Sequence, residues 1–155
     1  MTTRYVALLR GINVGGNNII PMAELRASFS KAGFSEVVTY IASGNVVFSS
    51  AKAVKPERVE RLLSDRFEYE AKIVLLEAAQ YAEVMDDVPR GFGADSSKYR
   101  FDVLFVRPPA KAKQLVNEIF RREGVDEVWA GRHALYFRRL EAQRTRSLLP
   151  KVMQQ

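Results

Sequence analysis

A loop rich in glycine and asparagine near the N-terminus contains the residue types best suited to binding a ligand. It follows an apolar segment at residues 5–9 and precedes a helix that begins at Pro21. Backbone N–H groups in such a loop and the dipole of a helix N-terminus favour an anion, and Arg10 could add a bidentate contact. We therefore predict an anion site that consists of Arg10, Gly11, Asn13, Gly15, Gly16, Asn17, Asn18, Ser43 and Asn45.

The same residues also have a structural interpretation, in which glycines make bends and asparagines cap the backbone. The loop matches no phosphate motif, because its glycines do not fit G-x-G-x-x-G and no Gly-Lys-Ser/Thr sequence follows. From Arg10 to Gly33 is 23 positions, whereas the corresponding distance from Arg107 to Gly124 is 17. If the halves are a divergent duplication, the first carries extra residues in this loop, which favours a function for them.

Positive charge is concentrated in the C-terminal part of the chain. Residues 1–97 contain 11 Lys/Arg and 12 Asp/Glu, whereas residues 98–155 contain 13 and 6. This asymmetry indicates a polyanionic partner such as nucleic acid, with a solvated basic face as the alternative. The predicted nucleic-acid contacts are Arg121, Arg122, Arg132, Arg138 and Arg139.

The remaining residue types restrict the chemistry. The chain has no cysteine, which excludes disulfides and thiol catalysis. His133 is the only histidine, so no histidine pair for a metal exists, and its place beside a Gly131-Arg132 turn predicts an exposed side chain. We predict no metal site, and the sequence leaves cofactors and enzymatic activity undetermined. Core packing is the expected role of the aromatic residues in the C-terminal half, with base stacking as the alternative.

Apolar periodicity and Pro/Gly punctuation predict the order β-α-β-β-α-β, which then begins again. This order is typical of the ferredoxin-like split βαβ arrangement. We predict an α+β fold of two such subdomains with four-stranded antiparallel sheets, at residues 1–77 and 99–155, joined by a helix and linker at 78–98. A truncated second subdomain is the alternative. Strands one and three are neighbours in this arrangement, so the loop and the Ser43–Asn45 turn should meet at one sheet edge.

Three segments resemble the family catalogued as domain of unknown function 1697. They are Tyr5-Val-Ala-Leu-Leu-Arg-Gly-Ile-Asn-Val-Gly-Gly16, Pro21-Met-Ala-Glu-Leu-Arg26 and Thr39-Tyr-Ile-Ala-Ser-Gly-Asn-Val-Val-Phe48. The resemblance implies an α/β protein of two ferredoxin-like subdomains and no assigned activity. Chains of that family typically continue into a segment resembling Thr-x-Arg-Asn-Trp, which this sequence lacks. A site completed by that segment is expected to be absent or altered.

These observations lead to one functional hypothesis and two alternatives. The leading hypothesis is a non-enzymatic protein that binds an anionic ligand, with nucleic acid included. The first alternative is an enzyme that acts on a small phosphorylated or carboxylated substrate at the same loop. The second is a protein-interaction or dimerisation module, for which a homodimer is one of the arrangements. The start of the chain has no signal peptide, and no apolar stretch approaches about 18 residues, so we expect a cytoplasmic protein without a membrane partner.

Overall fold

The chain folds as an α+β protein with two antiparallel sheets. Its computed structural model describes residues 1–154. The fold divides into two compact units, Met1–Tyr81 and Ala82–Gln155, each with its own sheet. Within residues 1–154, none of the helices has the length and apolar character needed to cross a membrane.

The N-terminal unit contains four strands and two helices before the connecting helix. In chain order they are β1 (Thr3–Leu9), α1 (Met22–Lys31), β2 (Ser35–Tyr40), β3 (Asn45–Ser50), α2 (Pro56–Phe67) and β4 (Ile73–Glu77), followed by α3 (Ala78–Asp86). The sheet order is β2-β3-β1-β4, and all neighbouring strands are antiparallel. The first strand is therefore central in its sheet and lies beside β3, the neighbour that the sequence predicted.

Alternation along the strands places one apolar face of this sheet in the core. Tyr5, Ala7 and Leu9 of β1 belong to the main cluster of buried residues. The ring centroid of Phe48 lies 5.5 Å from that of Tyr5 and 4.5 Å from that of Phe34. Leu9 of β1 and Val46 of β3 belong to the same cluster, so the strand ends from which the candidate loop and turn extend are also held in the core.

The C-terminal unit begins with the same β-α-β-β order as the N-terminal unit, but the elements that follow differ from α2 and β4. It contains β5 (Tyr99–Phe105), α4 (Ala112–Glu118), β6 (Asp126–Ala130) and β7 (Ala134–Leu140), then a 3-10 helix (Glu141–Arg146) and α5 (Leu149–Val152). Its sheet has the order β5-β7-β6. The prediction of a second four-stranded sheet was therefore wrong for the described residues. The segment after β7 lacks the alternating apolar residues of a strand.

Helices complete the C-terminal core where a fourth strand was expected. Leu149 and Val152 of α5 are buried against Phe137, so this short terminal helix packs against the sheet. Helix α4 ends at Glu118, so Phe120 lies just beyond it. Ile119 has extended dihedral angles, with φ −74° and ψ 136°, and Phe120 is 50% exposed.

Candidate functional site

The predicted ligand loop folds into a very short hairpin. The N–H of Asn17 donates to the carbonyl oxygen of Val14 at 3.1 Å, and the N–H of Asn13 donates to that of Asn18 at 3.1 Å. The two tip residues, Gly15 and Gly16, have φ angles of 59° and 76°. Positive φ at both central residues is typical of a type I′ turn, which glycine adopts without steric cost. The glycine pair is thus explained by backbone geometry.

Two of the predicted ligand-binding asparagines hydrogen-bond to the backbone instead. The Nδ2 of Asn13 donates to the carbonyl oxygens of Ile20 (3.0 Å) and Ala42 (2.8 Å), while its Oδ1 accepts the N–H of Ile20 at 2.8 Å. The Nδ2 of Asn18 donates to the carbonyl oxygen of Gly11 at 2.9 Å. These bonds close the loop, so the amides of Asn13 and Asn18 serve its folding.

The loop and the turn between β2 and β3 lie together, as predicted. The bond from Asn13 to Ala42 joins them directly, and the N–H of Leu9 donates to the carbonyl oxygen of Gly44 at 2.9 Å. The Nδ2 of Asn45 lies 3.2 Å from the carbonyl oxygen of Tyr40 and 3.4 Å from the Oγ of Ser43. Both side chains therefore organise the turn.

Arg10 and Asn17 lie on the surface of this region. Arg10 is exposed, and its N–H donates to the carbonyl oxygen of Lys72 at 3.2 Å. Ile12, two residues further on, is fully buried and anchors the loop in the core. The structure thus places all nine predicted residues in one region. Their role in binding a ligand stays a prediction.

The surface of the loop and turn exposes large apolar side chains, which the sequence analysis did not anticipate. We call residues 10–20 and 40–45 the loop–turn surface. Val14 is 64% exposed, Ile19 73%, Tyr40 68% and Ile41 58%. These two segments contain one arginine and no carboxylate. Ile41 also has a φ of 52°, which is rare for a β-branched residue. The region thus combines apolar side chains with a single cation.

Two surface grooves lie elsewhere in the N-terminal unit. One groove of about 460 Å³ is lined by Glu24, Ala27, Leu62 and Arg66, among other residues. A second, of about 450 Å³, includes Lys55 and shares Leu62. Both grooves lie along helices α1 and α2 and include no residue of the loop–turn surface.

Arg132, at the tip of the β6–β7 hairpin, is paired with acidic residues of the same unit. The Nη2 of Arg132 lies 2.9 Å from the Oδ1 of Asp87, and its backbone N–H donates to the Oδ2 of Asp87 at 2.7 Å. The Nη1 of Arg132 lies 3.3 Å from the Oε1 of Glu83. These hydrogen bonds lower the pKa of Asp87 from 3.8 to about 2. His133, expected to be exposed, is half-buried, with its Nε2 2.6 Å from the Oε2 of Glu83. The hairpin is therefore tied to the segment around α3.

Arg138 and Arg139 lie on opposite faces of β7, because successive strand residues alternate. The Nη2 of Arg138 is 2.6 Å from the Oε2 of Glu127. The Nε of Arg139 is 3.5 Å from the Oδ2 of Asp102. The adjacent pair in sequence therefore does not form one basic surface.

Arg121 and Arg122 bind backbone carbonyl groups. The Nη1 of Arg121 donates to the carbonyl oxygen of Val116 at 3.3 Å, and the Nε of Arg122 donates to that of Arg146 at 2.6 Å. Both residues are exposed. The structure thus distributes the five predicted nucleic-acid residues over different parts of the unit, and their contact with nucleic acid stays a prediction.

An aromatic cluster was missed as a unit. Phe92 lies in the segment expected to be a linker. Its ring centroid is 4.9 Å from the ring centroid of Phe101, 5.5 Å from that of Tyr136 and 6.3 Å from that of Trp129. The Tyr136 hydroxyl donates to the carbonyl oxygen of Val84. The only available signal was Phe92 itself, an isolated aromatic residue between two glycines.

The fold and these features define an α+β protein with a loop–turn surface in one unit and an aromatic cluster in the other. Among residues 1–154, no group of three acidic or histidine residues is placed to hold a metal ion. A family model described as a protein of unknown function (DUF1697) matches residues 1–136. The chain belongs to this family, which confirms the resemblance carried by the N-terminal segments.

The structure is also similar to one that has been solved. The conserved bacterial protein SP0830 from Streptococcus pneumoniae shares 25% sequence identity with it, with a TM-score of 0.79. The match covers 96% of this chain and 84% of that chain. No curated protein matches the chain.

Proposed function

We propose that the chain is a non-enzymatic binding protein. Its loop–turn surface would bind a segment of another protein that presents an apolar side chain beside a carboxylate. The observation that carries this proposal is the exposure of Val14, Ile19, Tyr40 and Ile41 on two segments joined by a hydrogen bond. Single exposed apolar residues are ordinary, whereas a group of them is typical of an interaction surface.

The charge of the same surface supports the acidic part of the proposal. Arg10 is exposed there, and residues 10–20 and 40–45 contain no Asp or Glu. A guanidinium beside apolar side chains suits a carboxylate attached to an apolar group. Nucleic acid fits this surface less well, because several cations usually neutralise its phosphates.

The two other hypotheses receive less support at this surface. An enzyme that orients its substrate through Asn13 and Asn18 would need amides that are already bonded to the backbone. A symmetric homodimer would place two copies of the surface against each other. Neither copy would then supply a carboxylate to Arg10 of the other, so we favour a different partner surface.

The fold of the two units is part of the same proposal. The strand order β2-β3-β1-β4 and its antiparallel pairing support a ferredoxin-like N-terminal unit. The order β5-β7-β6 supports a second, shortened copy. On this basis we propose subdomains at residues 1–77 and 99–155 with a helix and linker at 78–98.

The experiment uses small probes that separate the apolar and anionic components. Two-dimensional NMR of the 15N-labelled full chain would follow backbone amides during titration with N-acetyl-leucine, N-acetyl-leucine amide and inorganic phosphate. We expect N-acetyl-leucine to shift the amides of residues 13–19 and 41–45 most strongly. The amide and phosphate should have weaker effects, because each lacks one of the two components. Equal effects of all three probes, or no shift at these residues, would refute the proposal.

Matched variants locate the two components. Ile19→Ser should reduce the response to N-acetyl-leucine, whereas Met85→Ser, which also replaces an exposed apolar residue, should not. Arg10→Gln should make the response to N-acetyl-leucine approach that of its amide. Arg26→Gln removes a cation from an exposed position on α1 and serves as the charge control. If the control variants lost as much of the response to N-acetyl-leucine as the test variants, the assignment of binding to the loop–turn surface would be contradicted.

A further inference from the structure

The sheet of the C-terminal unit has an aromatic face that the proposed function does not use. Alternation directs Phe137 and Val128 toward α5 and its core. The opposite face carries Tyr136 of β7, which pairs with Trp129 of β6 and with Val103 of β5. Two further aromatic residues of β5, Tyr99 and Phe101, lie on this face by the same alternation. All three strands therefore contribute to it.

Cations lie directly over the half-buried rings of this face. The guanidinium carbon of Arg138 lies 4.1 Å from the ring centroid of Tyr99 and 5.4 Å from that of Trp129. The Nζ of Lys98 lies 5.2 Å from the Tyr99 ring. Tyr99 and Trp129 are both partly accessible. This combination of accessible ring surface and positive charge is typical of proteins that stack nucleic-acid bases.

Phe92 covers the centre of the aromatic face. Its ring stands at 68° to Phe101, 81° to Tyr136 and 88° to Trp129, and therefore makes edge contacts with all three. Gly91 and Gly93, on either side, have φ angles of 80° and 88°. Glycine on both sides of one aromatic residue gives the backbone unusual freedom to move that ring.

We propose that this face binds the bases of single-stranded nucleic acid. Phe92 would occupy, in the free protein, the place that a base takes in the complex. Edge contacts between aromatic rings are individually weak, so a base that stacks on Trp129, one of the three rings that Phe92 contacts, can replace them. The inference is independent of the loop–turn surface and deepens the earlier nucleic-acid hypothesis by assigning the bases to aromatic residues.

Charge complementarity favours nucleic acid over an uncharged aromatic ligand. Arg90 and Lys98 flank the segment that carries Phe92, and neither has an ion-pair partner among residues 1–154. Phosphates on either side of a stacked base would meet these cations. Glu127 is already neutralised by Arg138 at 2.6 Å, so the face itself presents little uncompensated negative charge.

The chain provides a specific optical probe, because Trp129 is its only tryptophan. Fluorescence of the full-length protein would be measured during titration with dT12 and rA12 at low salt, with repetition at higher salt. We expect quenching of Trp129 that saturates and that weakens as salt increases. Dextran sulfate and polyglutamate provide polyanions without bases, and we expect no quenching from them.

Phe92→Ala tests the displacement directly. Removal of three edge contacts that compete with the base should tighten oligonucleotide binding by roughly tenfold. Phe120→Ala, a control at an exposed phenylalanine outside the face, should leave affinity unchanged. Tyr99→Leu should weaken binding. Phe92→Leu keeps an apolar side chain but no ring, and should also tighten binding; it keeps the test valid if the alanine variant fails to fold.

Three results would overturn the inference. The first is the absence of oligonucleotide quenching in both the parent protein and Phe92→Leu. The second is equal quenching by dextran sulfate or polyglutamate, which would indicate a general polyanion effect. The third is weaker binding by Phe92→Leu than by the parent, which would make Phe92 a fixed part of the face. None of these results depends on N-acetyl-leucine binding at the loop–turn surface.

Discussion

Replacement of Gly44 by alanine should destabilise the N-terminal unit by about 2–5 kcal/mol. Gly44 has a φ of 92°, and a Cβ at this position would lie 2.6 Å from the Cδ1 of Ile12 and 3.0 Å from the Cβ of Leu9. Left-handed backbone geometry costs a non-glycine residue about 1–2 kcal/mol. An added methyl group in a packed core costs about 1–3 kcal/mol, and Ile12 is fully buried.

Two further variants separate these contributions. Gly15→Ala places a side chain at a φ of 59° with no heavy atom within 4 Å of its Cβ, so it should show only the backbone cost of about 1–2 kcal/mol. Ile12→Val removes the Cδ1 atom that would clash with the Cβ introduced by Gly44→Ala, and should cost about 0.5–1.5 kcal/mol by itself. In the double variant Gly44→Ala/Ile12→Val, the total loss should be smaller than the sum of the two single losses.

Native-state hydrogen exchange provides the appropriate measurement, because it reports the stability of each unit separately. The slowest amides of β1 and β3 would give the free energy of unfolding of the N-terminal unit. The amide of Leu9, which donates to the carbonyl oxygen of Gly44, would report local opening. Equal losses in Gly44→Ala and Gly15→Ala, or strictly additive losses in the double variant, would refute the steric argument.

Three other perturbations test contacts elsewhere in the fold. Tyr5→Phe should cost about 1 kcal/mol in urea unfolding, because the Tyr5 hydroxyl accepts the buried N–H of Val54 at 3.3 Å. Asp126→Ala should lower the free energy of unfolding by about 3 kcal/mol or more, because the Oδ2 of Asp126 accepts the backbone N–H groups of Arg122 at 2.8 Å and Leu148 at 2.9 Å. Asp126→Asn keeps one oxygen and should lower it less. Arg132 holds the pKa of Asp87 at about 2, below its usual value of 3.8. The pair should therefore stabilise the C-terminal unit above about pH 4 and lose this effect as the pH falls toward 2. Hydrogen exchange measured over this pH range should show a smaller loss of stability of the C-terminal unit in Asp87→Asn than in the parent protein.

The sequence predicted the N-terminal unit well because its signals are local. Pro21 and Gly33 delimit α1, Pro56 begins α2, and short continuous apolar runs identify β1 and β3. The prediction of the second unit relied on its similarity to the first. That similarity extends through β7, but the residues after Leu140 have their own pattern and form helices.

The residues of the candidate site were located more accurately than their contacts. Their convergence followed from topology, since β1 and β3 are adjacent. The partners of Asn13 could not be predicted, because Ala42 is 29 residues away and only the folded chain brings them together. For the same reason, the acidic partner of Arg132, which is 45 residues away, could not be inferred from a count of charges.

A bulge in the edge strand β2 restricts how a partner can approach the N-terminal unit. Glu36 and Val37 together oppose the single residue Phe48, and Glu36 has a φ of 49°. The Nη1 of Arg4 lies 3.1 Å from the Oε2 of Glu36, and the Oγ of Ser49 donates to the same oxygen at 2.6 Å, which fixes the bulge.

Only the residues from Val38 to Tyr40 then keep a regular strand edge. A bulged and charged edge resists backbone pairing with other chains and so protects against aggregation. A segment bound at this end would therefore add few main-chain hydrogen bonds to the sheet. Recognition there would depend on side chains, and variants that retain these side chains but straighten the bulge should become more prone to form fibrils.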